Sequence, residues 1–241
     1  MNSAGWRLWN TLAYAAAALV LLLAYGLPIG GRTTGEIAGM FSAFGWPAPY
    51  AFSVWGLIYV LWGIFVWLQW RPGWKSMPVF RRIGPWFVVG CLFHAAWLLC
   101  WHYQYIRSSV FLMIGLLLTL AHLYRLTRQV QHSPRDDAGL TAYLFVQLPF
   151  SLSAAWVSVL TAANVLIGLE IAGPVGRGAG GVFLAMIALA AVTAVSLLIH
   201  SRRRDTAWLL AVIWALVAVG VKHQEAVPAI AWASWLLAAM L

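Results

Sequence analysis

Leu184-Ala185-Met186-Ile187-Ala188-Leu189-Ala190-Ala191-Val192-Thr193-Ala194-Val195-Ser196-Leu197-Leu198 holds no charged residue and no regular alternation of apolar and polar positions. A transmembrane β-strand of an outer-membrane barrel alternates over about ten residues, so this run reads as a helix. With its flanks it occupies 180–200, and crossing a hydrocarbon core takes roughly 20 helical residues. Seven further apolar stretches occur, at 8–29, 50–70, 84–102, 108–126, 141–167, 206–221 and 227–241. The last two are short, rising only about 22–24 Å at 1.5 Å per residue. They are expected either to span a thin bilayer or to form one re-entrant pair.

The composition agrees with eight spans. The 241 residues are 63% apolar and 9% charged, against about 25% charged residues in a soluble domain. The net charge of +9 would fit a nucleic-acid binder, but the basic residues sit in short loops between apolar stretches. No nucleic-acid partner is expected. Eleven of the fifteen basic residues fall on one side of an eight-span arrangement: Arg7; Arg71, Lys75, Arg81 and Arg82; Arg125, Arg128 and Arg135; Arg202, Arg203 and Arg204. Only Arg32, Arg107, Arg177 and Lys222 fall on the other. The positive-inside rule then puts both termini in the cytoplasm, with a bacterial inner membrane as the expected location. If span seven or eight fails to cross, only the carboxyl end moves. The first stretch is longer than a signal-peptide core and reads as a retained helix.

Gly173-Pro174-Val175-Gly176-Arg177-Gly178-Ala179-Gly180-Gly181 divides a Trp-rich first part from an Ala/Leu/Val-rich second part. The expected organisation is one continuous membrane domain, with a five-helix unit over 1–168 and a three-helix extension over 169–241. Cys91 and Cys100, nine apart in the third span, point to different faces and do not bridge within that helix.

Sixteen tryptophans exceed what ordinary usage would give. Trp6, Trp9, Trp46, Trp70, Trp74, Trp86 and Trp208 lie near span ends and read as an interfacial belt. Trp55, Trp62, Trp97 and Trp156 lie inside spans. Trp55, Tyr59 and Trp62 share one face of the second span, and His94, Trp97 and Trp101 share one face of the third. Trp156 and Asn164 share a face of the fifth, behind Pro149, Ser151 and Ser153. Each stripe taken alone is ordinary packing. Polar side chains at membrane depth turn inward, however, so the three stripes are expected to share one interior. Ring faces with a few hydrogen-bonding groups suit a flat, largely apolar ligand. Pro149 should kink the fifth helix and free the carbonyl of Phe145.

Catalysis has no such support. No carboxylate lies inside a span, and neither a metal-ligand spacing nor a phosphate loop is present, so no catalytic and no metal-binding residue is assigned. His94 has two readings, a haem-iron ligand or a hydrogen-bonded interhelical histidine. Proton-coupled transport would call for an intramembrane acid, and Glu36, Asp136, Asp137, Glu170, Asp205 and Glu225 are all in loops or at span edges.

Three segments resemble the tryptophan-rich sensory proteins, the TspO or translocator protein family. Trp46-Pro47-Ala48-Pro49 with Phe52, Trp55 and Tyr59 is similar to that family's Trp/Pro-rich loop and second helix. Cys91 to Tyr124, with His94 and Trp97, is similar to its Asn-x-x-Trp segment, although His94 replaces the Asn. Trp156-Val157-Ser158, Thr161 and Asn164 match its Trp-Val-Ser-x-x-Thr-x-x-Asn. Pro149 stands seven residues before Trp156 where the family has four, and the likeness covers roughly residues 8–168.

The resemblance implies an all-α integral membrane protein, a TspO-like five-helix bundle here followed by about three additional helices. It implies a receptor or sensor for a planar hydrophobic ligand, a tetrapyrrole such as protoporphyrin IX or haem, or a sterol-like lipid, held beneath the first loop. No further cofactor is required. Trp55 and Trp156 match the two pocket tryptophans, and Tyr59, His94, Trp97 and Asn164 match positions that line or brace the pocket; Trp62 joins them from the stripe on the second span. A transporter for a hydrophobic solute, a light-dependent porphyrin-degrading enzyme and a structural partner protein are the alternatives. The expected partners are the bilayer and this ligand. Gly26-x-x-x-Gly30 would suit a homodimer contact.

Overall fold

A chain without water around it must satisfy its backbone polar groups internally, and helices do this within a single segment. The structure is a computed structural model that describes residues 3–27, 29–42, 44–74, 78–129 and 137–241. Among these the regular structure is helical: α1 (Ser3–Gly26), α2 (Thr34–Gly39), α3 (Val54–Leu68), α4 (Pro78–His102), α5 (Ile106–Thr127), α6 (Asp137–Ala142), α7 (Leu148–Ala172), α8 (Gly178–Arg203), α9 (Thr206–His223) and α10 (Pro228–Met240). The loop containing Lys75 and the one containing Arg135 and Asp136 fall outside the described residues at those positions.

Among the described residues seven helical stretches are long and apolar enough to cross a membrane, Thr206–His223 included. The eighth, α10, has 13 residues and rises only about 20 Å. It returns from α9 through a short turn and packs against α9 and α8.

The helix α7 is the axis of the bundle. It touches α3, α5, α8 and α9, and every residue from Pro149 to Val157 is buried. That continuous burial explains why its sequence is apolar all round rather than striped. By contrast, α1 exposes Leu12, Leu19 and Leu22 to the lipid side. The buried core runs without interruption from Ala17 to Ala238, so the last three helices share it with the first five.

Pro149 is accommodated by a π turn over Tyr143–Gln147, in which the Leu148 N–H donates to the Tyr143 carbonyl. The wider turn passes the register around the missing proline donor. The Ser153 hydroxyl donates to the Pro149 carbonyl one turn later.

Contacts between distant segments sort the helix ends into two groups. At one end Asn10 donates to Gln69, the Trp70 indole donates to Thr11, and the Arg7 guanidinium lies over the Trp70 ring. There Arg128 pairs with Asp205 at 3.9 Å, and Asp205 also accepts from Ser151 at 2.8 Å and from the Trp208 N–H at 3.1 Å. At the other end the first loop meets the ends of α4, α7 and α9. Ser42 donates to Glu170, Ala48 N–H donates to the Ala218 carbonyl, and Thr34 bonds His102. Arg7, Arg71, Arg128 and Arg203 therefore share one end, and Arg32 and Lys222 the other, the same partition that the charge pattern predicts.

The candidate functional site

The segment between α1 and α3 is built by local signals. Thr33 caps α2 through a reciprocal capping box: its hydroxyl accepts from the Glu36 N–H, and the Glu36 carboxylate accepts from the Thr33 N–H at 2.7 Å. The Thr33 N–H foremost, and then the Thr33 hydroxyl, both donating to the carboxylate, hold the Glu36 carboxyl below its usual pKa. Gly30 has φ +69°, and a Cβ there would fall 2.7 Å from the His102 carbonyl, so only glycine lets the loop press onto the end of α4. Pro49 starts a single 3₁₀ turn that leads into α3.

Against this loop lies a part-open chamber of about 420 Å³, within the roughly 300–1,000 Å³ range of small-molecule sites, with Tyr25, Glu36 and Gly39 on its exposed side. Its wall includes Tyr25 from α1, Thr34 and Glu36 from α2, Trp46 and Phe52 from the loop, and Lys222 from α9. Trp46 stacks on Trp101 with centroids 4.6 Å apart and planes 4° from parallel, and it stacks on Phe52 at 5.6 Å. Trp46 is 2% exposed, so the interfacial-belt expectation fails for it. It fails for Trp208 as well, which is buried with its indole donating to Ser196. Trp9, Trp70 and Trp86 are exposed, as a belt requires.

A second apolar space, about 430 Å³, opens between α3, α7 and α9 beside Leu57, Leu210 and Trp214. All three are exposed on the outer face of the bundle. It offers few polar groups to orient a ligand, whereas the loop-roofed chamber offers both rings and charges.

The residues singled out from the sequence assemble below the chamber. Trp55 packs on His94 at 4.1 Å, and Tyr59 on Trp62 at 5.4 Å. Tyr59 Oη and His94 Nδ1 are hydrogen-bonded at 2.7 Å across α3 and α4. The Trp62 indole donates to Ser153 at 3.1 Å. The Trp97 indole donates to Asn164 Oδ1 at 3.2 Å, and Asn164 donates in turn to Ser109 at 3.1 Å. Trp156 meets Phe52 edge-on at 5.5 Å. No ring contact joins Trp55 to Trp156, and none of the seven lines the chamber. Two buried atoms of the group, His94 Nε2 and Trp156 Nε1, have no hydrogen-bond partner among the described residues.

The chamber connects to this floor through rings: Trp46 to Trp101, Trp101 to Trp97 at 6.0 Å, Trp97 to His94 at 5.9 Å. Periodicity within the spans misses the wall residues Tyr25, Thr34, Glu36 and Lys222. The Thr33-x-x-Glu36 pattern is the one signal that would have placed a helix start inside the loop.

A polytopic helical membrane protein with a loop-roofed chamber over a hydrogen-bonded aromatic floor is the class that these features define. The TSPO-like protein family matches residues 7–241, and the chain belongs to it. The match runs beyond residue 168 and takes in the last three helices, which the likeness of individual motifs had left outside. No curated protein and no solved structure matches the chain.

Proposed function

We propose that the protein is a receptor or sensor that binds a planar hydrophobic ligand, a tetrapyrrole such as protoporphyrin IX or haem or else a sterol-like lipid, in the chamber beneath the first loop. The observation that carries this reading is the chamber itself: about 420 Å³, walled by Trp46, Phe52, Pro47, Pro49 and Tyr25. Ring faces suit a flat apolar body, and the polar groups at the rim suit its substituents. In this reading Trp55, Tyr59, Trp62, His94, Trp97, Trp156 and Asn164 hold the floor on which the wall rings rest. Phe52 transmits the position of Trp156, and Trp101 that of Trp97. The chamber end faces away from the cytoplasm, and the end carrying Arg7, Arg128 and Arg203 faces it, in a bacterial inner membrane.

Titrating the purified full chain with protoporphyrin IX tests the reading through quenching of tryptophan fluorescence. Saturable binding with no loss of pigment is expected. Pigment flux in proteoliposomes would favour a transporter instead, and loss of pigment absorbance only under light would favour an enzyme.

A further inference from the structure

Most of the chamber wall comes from the first loop, α1 and α2. Lys222 is different, because it stands in the last turn of α9 and some 170 residues from the loop in sequence. Two bonds fix the face of α9 that it shares. The Trp214 indole donates to the Ala51 carbonyl at 3.1 Å, and the Ala48 N–H donates to the Ala218 carbonyl at 3.0 Å. Trp214, Ala218 and Lys222 are spaced i, i+4, i+8, so one stripe of α9 is laid against the loop and its last member reaches the chamber.

Lys222 shares the wall with Trp46, Phe52 and Pro49. Among the described residues no carboxylate lies within ion-pair distance of it. Glu36, the acid in the wall, is engaged by the Thr33 N–H and hydroxyl. A half-buried cation without a counter-charge is costly until an anion joins it.

Resting on the chamber as the binding site, we infer that Lys222 is the contact for an anionic group of the ligand, so that the preferred ligand is a flat apolar body carrying a carboxylate at its edge. The extension is then part of the site, because α9 supplies its anion-binding residue.

The experiment compares protoporphyrin IX, which carries two carboxylates, with its dimethyl ester, on the full chain in phosphatidylcholine nanodiscs. Empty nanodiscs serve as the partition blank, and Lys222→Met and Lys222→Arg are measured beside the unaltered protein. The unaltered protein is expected to bind the diacid at least tenfold more tightly than the ester. Lys222→Met should erase that preference by weakening the diacid alone, and Lys222→Arg should keep most of it. Equal binding of both probes by the unaltered protein overturns the inference while leaving the chamber reading in place. So does a Lys222→Met variant that keeps the preference, or one that weakens both probes alike. Failure of both probes to bind the unaltered protein removes the chamber reading and this inference with it.

Discussion

On the helices below the loop Trp55, Trp97 and Trp156 are at most 2% exposed, and their rings are closed on His94, Trp101 and Phe52. In the loop itself Trp46 and Phe52 are buried too, at 2% and 6% exposed, yet they border about 420 Å³ of space. The two regions use the same residue types. They differ in what supplies the neighbours: helix faces meeting helix faces fill their gaps, whereas a loop arched over helix ends leaves a hollow. Aromatic stripes in a sequence of this kind therefore locate the floor of a site more readily than its opening.

Substitutions can separate the two regions, and truncating the floor should have the largest effect. Trp156→Ala removes a fully buried indole, and such changes cost about 3–5 kcal/mol. Thermal unfolding in detergent should show that loss. Because the ring also seats Phe52, affinity for protoporphyrin IX in the folded fraction should fall at least tenfold, about 1.4 kcal/mol. Loss of stability with unchanged affinity would mean that floor and chamber are independent.

Next comes the opposite end. Arg128→Met leaves Asp205, 2% exposed, with Ser151 and the Trp208 N–H but no cation. A loss of about 1–3 kcal/mol is expected in the same unfolding assay. Affinity should not change, since this end lies across the bundle from the chamber. Weakened binding by the folded variant would join the two ends and undo the contrast.

The smallest effect is expected at the lipid edge. Trp70 is 49% exposed, and its ring lies under Arg7 while its indole meets Thr11. Trp70→Ala should cost less than about 1 kcal/mol, the scale of an exposed cation–π contact, and should leave ligand affinity as it was. Equilibrium titration and unfolding of this one variant measure both.

The spans were legible because hydropathy reports them directly, down to the short eighth stretch. The shared interior was legible too. Trp55, Tyr59, His94, Trp97 and Asn164 repeat at helical spacing, and polar groups in hydrocarbon have to find one another. The chamber was hidden because its walls come from contacts that no period encodes, such as Ala48 with Ala218 and Trp214 with Ala51. In the sequence Lys222 reads as a loop charge that sets topology, and only the fold shows which face of α9 it occupies. Trp46 reads as a belt residue for the same reason, since its partner Trp101 is 55 positions away.

The most direct measurement fills the chamber without touching the floor. Gly39 lines it, and a Cβ added there meets nothing within 4 Å, so a side chain can start from this wall without displacing neighbours. Protoporphyrin IX titration of Gly39→Trp, with unfolding followed in parallel, should show a stable protein whose binding has fallen by at least two orders of magnitude. A stable Gly39→Trp variant that binds the pigment as tightly as the unaltered chain would contradict the placement of the ligand beneath the first loop.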